Sequence, residues 1–229
     1  MRESFGRPVL KLKGIVIDMD GTITKFNLDY KAARQRTLDE LERLGLRTPE
    51  MNEEVGLWVI LNKLRDTLPR DEFRKLRVTF YSFFEEMEVK AAHDVNLYPG
   101  ALETLRELRS KSLKLGLVTS NSRVGTDLTI KRLNLQPFFD AIVTRDDCDE
   151  MKPAAAPILK VLAKLDVSPE AAILVGDGVM DILAARAAGV RSAAVTTGPF
   201  STERILKAQP DYLLSSVNDL PALIEKLDA

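Results

Sequence analysis

Apolar positions along the chain follow two different periods, and the change between them divides the chain. From about residue 99 onward, short apolar runs alternate with stretches in which apolar residues recur every three or four positions. The first pattern is typical of buried strands and the second of the helices that cover them. Such alternation predicts an α/β fold with a doubly wound parallel sheet. The predicted strands are 115–118, 141–143, 171–175, 191–196 and 212–214, and the predicted helices are 99–111, 123–134, 155–166, 180–188, 202–207 and one that ends at 227.

Residues 26–95 show helical periodicity and no strand pattern. One helix is predicted from Tyr30 to Gly45, a second from Thr48 onward, and a third from Pro69 onward. A further strand, 14–18, precedes this segment and belongs to the sheet. The predicted organisation is therefore a Rossmann-like core and an inserted α-helical domain joined by linkers at 23–28 and 92–98. The boundaries are 1–25 and 96–229 for the core and 26–95 for the insert, with 1–12 a tail or short edge strand.

Composition narrows the classes of partner. The 229 residues carry 33 basic and 34 acidic side chains, so no basic surplus exists for a nucleic acid polymer to bind. No apolar run approaches the roughly 20 residues of a membrane span, and the N-terminus lacks the apolar segment of a signal peptide. Cys148 is the single cysteine, which excludes an intramolecular disulfide and favours a cytoplasmic location. Oligomeric state has no signature here.

The first candidate site follows the strand 14–18. Asp18 and Asp20 come where this apolar strand ends, and Gly21 interrupts it. Two carboxylates at the end of an apolar strand repel each other unless a cation or a shared proton compensates. Mg²⁺, which prefers oxygen ligands, would serve, and the carboxyl ends of parallel strands are where α/β proteins place their sites. The alternative is a pair of solvated aspartates in an Asp-Gly turn.

Three further motifs follow predicted strands. Thr119 and Ser120 after 115–118 are suited to an anionic oxygen, although such a cluster is also a common helix cap. Lys152, just before Pro153, offers a compact positive charge, although it could equally be a surface lysine among acids. Asp177 and Asp181 lie in a glycine-containing turn that enters a helix, where an N-terminal cap is the simpler explanation.

Taken in order, these four motifs resemble those of the haloacid dehalogenase superfamily of phosphohydrolases. The resemblance covers roughly residues 13–227, and the helices between the first and second motifs are similar to those of the subgroup with a helical cap, to which phosphoglycolate phosphatases belong. Ala155 departs from the subgroup's usual Lys-Pro-Ala-Pro, which puts the shape of that loop in question but leaves Lys152 in place.

The resemblance implies a Mg²⁺-dependent phosphatase that hydrolyses a small phosphate ester through an aspartyl-phosphate. Asp18 is then the nucleophile and Asp20 the general acid and base. The implied ligands of Mg²⁺ are Asp18, the backbone carbonyl of Asp20, and Asp177, with Asp181 supporting them. Thr119 and Lys152 are implied to bind phosphoryl oxygens, together with backbone N–H groups of Met19, Asp20 and Ser120. The substrate is expected to be a small phosphomonoester such as a phosphoglycolate-like compound, a sugar phosphate or a nucleotide.

Other activities stay open. Dehalogenase members of the family lack an acid two residues after the nucleophile, so Asp20 favours phosphate chemistry. A sugar phosphomutase would carry cap residues that shield the intermediate, typically a histidine and a lysine, and His93 in the exit linker is the single histidine. A binding module on a spent scaffold would usually lack Asp18 or Asp20. Asn27, Lys31 and Arg34 are candidate substrate contacts, and the cap is expected to move on its linkers.

Overall fold

A computed structural model describes residues 11–53 and 55–228, so most of the predicted N-terminal tail lies outside the described residues. In this part of the chain, six parallel strands form one sheet in the order β3-β2-β1-β4-β5-β6. The α/β, doubly wound prediction is confirmed. The strands are β1 (Gly14–Ile17), β2 (Lys114–Val118), β3 (Ala141–Val143), β4 (Ala172–Gly176), β5 (Arg191–Val195) and β6 (Tyr212–Leu214).

The central strand β1 pairs with β2 on one side and β4 on the other, with Ile15 opposite Leu115 and Ile173. Successive side chains of a strand point to opposite faces. Ile15 and Ile17 accordingly belong to one apolar cluster and Val16 to another. The sheet is therefore covered on both faces, by the helices α4 (Ala101–Ser110), α5 (Arg123–Arg132), α6 (Ala156–Leu165), α7 (Val179–Ala188), α8 (Thr202–Lys207) and α9 (Leu220–Asp228).

Between β1 and α4 the chain forms a helical insert, made of α1 (Tyr30–Arg43), α2 (Leu57–Thr67) and α3 (Arg70–Ala92). These helices share an apolar cluster of their own that includes Leu38, Leu64 and Phe80. Asp29 caps α1 by accepting the N–H of Lys31 at 3.2 Å. The insert thus has a separate core, as a second folding unit requires.

The predicted start of the second helix, at Thr48, is wrong, because α2 begins only at Leu57. The preceding residues form turns, and Met51 is buried among the apolar residues of the insert. The Thr48 hydroxyl accepts a hydrogen bond from the Lys63 ammonium at 3.0 Å, so that it packs against α2 instead of starting it. Gly56, in an extended conformation, is the residue from which α2 starts.

The two segments that join the insert to the core run side by side. The N–H of Lys25 donates to the Asn96 carbonyl at 2.7 Å, and the N–H of Tyr98 donates to the Ile23 carbonyl at 2.9 Å. Helix α3 also lies close to α5, since a methyl group at Gly125 would approach the Glu88 Cβ to 2.9 Å. None of the helices in the described ranges has the length and apolarity to cross a membrane.

Candidate active site

The predicted site residues meet at the carboxyl edge of the sheet. Asp18, Thr119 and Asp177 directly follow β1, β2 and β4, which are neighbours in the sheet. All three side chains are buried. Parallel strands end at the same edge, so three positions far apart in sequence become adjacent.

Lys152 joins the first and last motifs. Its ammonium donates to Asp18 Oδ1 at 2.5 Å and to Asp181 Oδ1 at 2.6 Å, and all three side chains are buried. Burial alone would lower the pKa of Lys152, but the carboxylates of Asp18 and Asp181 raise it, so the lysine is charged. The other carboxylate oxygen of Asp181 accepts the N–H of Gly178 at 3.1 Å. Each oxygen of Asp181 therefore accepts one hydrogen bond from the protein.

Glycines make room for Asp177. A methyl group at Gly198 would lie 1.7 Å from Asp177 Oδ2, and one at Gly21 would lie 2.4 Å from the same oxygen. Gly21 also has a φ of +85°, a left-handed conformation that glycine adopts without strain. Two loops, after β1 and after β5, thus approach the Asp177 carboxylate closely enough to exclude any side chain.

The carboxylates of Asp18, Asp177 and Asp181 offer oxygen atoms that lie within 4.8 Å of one another. Burial, with neighbouring carboxylates adding to it, raises the pKa of Asp177 to about 8. Burial raises the pKa of Asp18 to about 7 although Lys152 acts in the opposite direction. Among the described residues, one ammonium thus faces three buried carboxylates. A further cation with a preference for oxygen fits this donor set and its excess negative charge.

Asp20 faces different partners from Asp18, because β1 ends at Ile17 and the chain turns. Asp20 Oδ1 accepts the hydroxyl of Thr24 at 3.0 Å, and Oδ2 accepts the amide of Asn121 at 2.6 Å. Burial raises the pKa of Asp20 to about 6, although these two hydrogen bonds lower it. The carboxyl is therefore held by two neutral donors and gives up its proton near neutral pH.

The residues predicted to bind phosphate lie at the same edge. The Thr119 hydroxyl is buried and accepts the N–H of Asn121 at 3.2 Å. Ser120 is exposed, and Met19 is buried with a carbonyl that accepts the N–H groups of residues 22–24. The Met19 side chain itself belongs to the apolar core, so only its backbone is available to a ligand.

Sequence reasoning missed three residues near the site, Thr24, Glu88 and Arg145. It gave no role to Asn121, which follows Thr119 and Ser120 in the second motif. Glu88 had a signal, because it occupies one buried face of α3 with Phe80, Phe84 and Ala92, at intervals of four residues. A carboxylate on an apolar helix face requires a partner. The partner, Arg145, follows β3 and had no signal of its own.

The structure does not bring the three candidate cap contacts to the carboxylates. Asn27 donates to the Ala91 carbonyl at 3.1 Å, Arg34 donates to the Glu53 carbonyl, and Lys31 is exposed. Tyr30 approaches the site instead, packed against Phe84 with ring centroids 6.0 Å apart. Burial and then the Asp20 carboxylate raise the pKa of its hydroxyl, which is therefore neutral.

Comparison with known proteins decides the family. The model of the haloacid dehalogenase-like hydrolases matches residues 15–195, and the pyrophosphatase PpaX of Bacillus pumilus (strain SAFR-032) is 32% identical over 92% of this chain and 95% of its own. The chain belongs to the haloacid dehalogenase-like hydrolases. The resemblance seen in the motifs and the expected enzyme class, a phosphohydrolase of this family, are thereby confirmed.

Solved structures of haloacid dehalogenase-like proteins share the fold over nearly the whole chain. A predicted phosphoglycolate phosphatase from Haemophilus somnus 129PT superposes with a TM-score of 0.64 at 22% identity, covering 94% of this chain and 99% of its own. A proposed beta-phosphoglucomutase from Thermotoga maritima gives a TM-score of 0.62 at 22% identity, with coverage of 94% and 99%. At these identities the likeness establishes the fold alone.

Proposed function

We propose that this protein is a Mg²⁺-dependent phosphatase that hydrolyses a small phosphate ester through an aspartyl-phosphate on Asp18. The observation that carries the proposal is the different environment of the two aspartates of the first motif. Asp18 lies against Lys152 and the carboxylates of Asp177 and Asp181, whereas Asp20 is held by Thr24 and Asn121. Asp18 lies where positive charge can hold its carboxylate as a nucleophile, and Asp20 stands apart from that charge, oriented by two neutral donors, as a group that passes a proton to and from the leaving oxygen requires.

In the first step an oxygen of Asp18 forms a bond to phosphorus while the bond from phosphorus to the ester oxygen breaks. Asp20 donates its proton to that departing oxygen. In the second step water attacks the phosphorus, Asp20 takes a proton from the water, and the bond to Asp18 breaks. Both products, the alcohol and phosphate, are then released, and Asp20 is protonated again as at the start.

A magnesium ion would be held by Asp18, the backbone carbonyl of Asp20, and Asp177. When bound, it supplies positive charge to the transferring phosphoryl oxygens. Asp181 supports the site from beside it, since both of its oxygens accept hydrogen bonds from Lys152 and Gly178. Because burial already raises the pKa of Asp18 and Asp177, the cation also favours their ionised forms.

Lys152 and Thr119 bind phosphoryl oxygens in this proposal, with backbone N–H groups of Met19, Asp20 and Ser120. An ammonium has three donors, and two of those of Lys152 bond Asp18 and Asp181. The third is then directed to the phosphoryl group. Residues 26–95 act as a cap over the site, with 1–25 and 96–229 as the catalytic core. Tyr30 is the cap residue proposed to contact the leaving group, because the Asp20 carboxylate acts on its buried hydroxyl.

A phosphatase is favoured over a phosphomutase by the position of His93. This histidine is exposed at the C-terminal end of α3, and Lys31 of α1 is exposed as well. In the described residues neither lies against the Asp18 or Asp20 carboxylate, so neither would shield the intermediate from water. We therefore expect water to accept the phosphoryl group.

A phosphate-release screen tests the proposal. Candidate substrates are phosphoglycolate, sugar phosphates and nucleotides, and pyrophosphate is included because the relative from Bacillus pumilus is named a pyrophosphatase. Release of phosphate with Mg²⁺, its loss with chelator, and a covalent phosphoryl adduct on Asp18 after acid quenching are the expected results. Asp18→Asn serves as the blank. Turnover that survives this substitution would exclude the proposed nucleophile.

A further inference from the structure

Glu88 on α3 and Arg145 after β3 form an ion pair between the helical insert and the core. Their side chains are 1% and 4% exposed. The Arg145 guanidinium also donates to the Tyr81 carbonyl at 3.0 Å and lies 4.8 Å from the centre of the Tyr81 ring. A buried ion pair adds little net stability compared with apolar residues of similar size. Its presence therefore points to a role in positioning neighbouring groups.

The groups that this pair fixes surround Asn121. The Arg145 guanidinium donates to the Ser120 carbonyl at 3.1 Å, and the backbone N–H of Arg145 donates to the Asn121 carbonyl at 3.1 Å. On the other side, the N–H of Ser122 donates to Glu88 Oε2 at 2.9 Å. The backbone is thus fixed at residues 120, 121 and 122, and the Asn121 side chain is directed at Asp20.

We propose that Glu88 and Arg145 are positioning residues that hold Asn121 against Asp20, so that alignment of the general acid depends on docking of the insert. The inference rests on the proposed function. Asn121 reaches Asp20 Oδ2 at 2.6 Å, and Glu88 is the part of this arrangement that the insert supplies. A phosphatase built in this way protonates the leaving group efficiently only when α3 is packed on α5.

The test uses the leaving group. p-Nitrophenolate departs with little need for a proton, whereas the alkoxide of glycerol 2-phosphate needs one, so a misplaced acid slows only the second. The variant Glu88→Gln with Arg145→Met removes both charges and keeps an oxygen that accepts the Ser122 N–H. We measure kcat/KM, which reports steps up to the first phosphoryl transfer, for both esters in the variant and in the wild type.

We expect kcat/KM to fall about 30-fold for glycerol 2-phosphate and less than about threefold for p-nitrophenyl phosphate. The larger loss stays below the roughly 100-fold or more that complete removal of a general acid costs, because a misaligned acid keeps part of its effect. Equal losses for the two esters, or no loss in a folded variant, would overturn the inference. If the double variant does not fold by circular dichroism, Arg145→Lys takes its place, since one ammonium keeps the charge pair but does not span all the Arg145 acceptors.

Arg36→Gln with Glu86→Gln is the matched control. It removes an exposed ion pair between α1 and α3, two residues from Glu88, and should leave both esters unaffected. A wild-type protein that, with Mg²⁺, releases phosphate neither from these two esters nor from any substrate of the screen would contradict the proposed function itself, and the inference with it. Wild-type activity with an unselective variant contradicts the inference alone.

Discussion

The surroundings of Asp18, Asp177 and Asp181 differ, although all three residues are aspartates. All three are buried aspartates, yet Asp181, in the first turn of α7, has both oxygens bonded to donors of the protein, whereas burial raises the pKa of Asp177 to about 8. This difference fits the proposed roles, in which Asp177 binds the cation and Asp181 supports the site from beside it. This difference leads to a prediction about metal binding.

Removing the carboxylate of Asp177 should abolish stabilisation by Mg²⁺. At a concentration of 100 times its Kd, an ion that binds only the folded protein adds about 2.7 kcal/mol to the free energy of unfolding. Denaturant melts with Mg²⁺ and with chelator should show this difference in the wild type but not in Asp177→Asn. Asp166→Asn, at an exposed position with a φ of 55°, should behave as the wild type. An unchanged Mg²⁺ response in Asp177→Asn would refute the assigned ligand.

Asp140 predicts a pH dependence of stability away from the site. Burial would raise its pKa, but the N–H of Leu115 at 2.9 Å and the Arg109 guanidinium at 2.5 Å lower it overall. A carboxyl with a lowered pKa in the folded state stabilises the protein above its unfolded pKa, and this contribution is lost as pH falls through the folded pKa. Asp140→Asn should cost about 1 kcal/mol at pH 7. The difference from the wild type should disappear in acid melts below the folded pKa, and a difference that persists there would contradict this explanation.

At the scale of elements, turns decide where functional side chains stand. Gly21 and Gly189 both have left-handed backbones, with φ of +85° and +73°, but only Gly21 faces a site residue. A methyl group at Gly189 would meet no atom within 4 Å. An alanine at either position would strain the backbone, but only an alanine at Gly21 would also displace Asp177. Comparing the two variants therefore distinguishes these effects.

Gly21→Ala should lower kcat/KM at least about tenfold, in the range that follows from moving a group beside a metal. Gly189→Ala should cost about 1 kcal/mol of stability through its backbone alone and leave kcat/KM unchanged. Thermal melts and phosphate-release assays on both variants provide the comparison. Equal activity in the two variants would mean that the contact with Asp177 does not matter.

Periodicity and turn residues were sufficient to predict the elements of the core, because buried parallel strands have a strong apolar signature. The start of α2 was not predictable in this way, since Thr48 and Pro49 resemble a helix start and only packing of Met51 and Lys63 prevents it. Asp18, Asp20, Lys152 and Asp177 were found from motifs at strand ends. Glu88 left a signal on the apolar face of its helix, but its partner Arg145 is set by a contact between the insert and the core, which local sequence does not encode.

At the scale of the whole molecule, the insert is joined to the core by contacts of two kinds. The Glu88–Arg145 pair is buried, whereas Arg65–Glu150 and Arg77–Asp149 are exposed at the loop that precedes Lys152. Exposed pairs contribute about 0–1 kcal/mol and are screened by salt. The expected motion of the cap on 23–28 and 92–98 stays a prediction, and the exposed pairs are the contacts that opening would break first.

Arg65→Gln with Arg77→Gln should therefore raise KM by less than about fivefold and leave kcat unchanged. The two exposed pairs would contribute up to about 1 kcal/mol to the free energy that favours the closed position of the insert, and the variant loses this contribution. The difference from the wild type should vanish as salt is raised, since the exposed pairs are then screened. Initial rates over a range of substrate and salt concentrations measure both effects. A variant whose KM differs from that of the wild type equally at all salt concentrations would argue against a role in closure.

The hydrogen bonds between residues 23–25 and 96–98 restrict how such a closure proceeds. Since the entering and leaving segments are bonded to each other as a two-stranded ribbon, we expect them to bend together, so that the insert would swing about one axis. That axis passes close to Thr24, whose hydroxyl bonds Asp20 at 3.0 Å. We therefore expect an outward swing of the insert to twist the ribbon at the residue that holds the proposed proton donor, so that acid catalysis would be timed by the entry and exit of ligands.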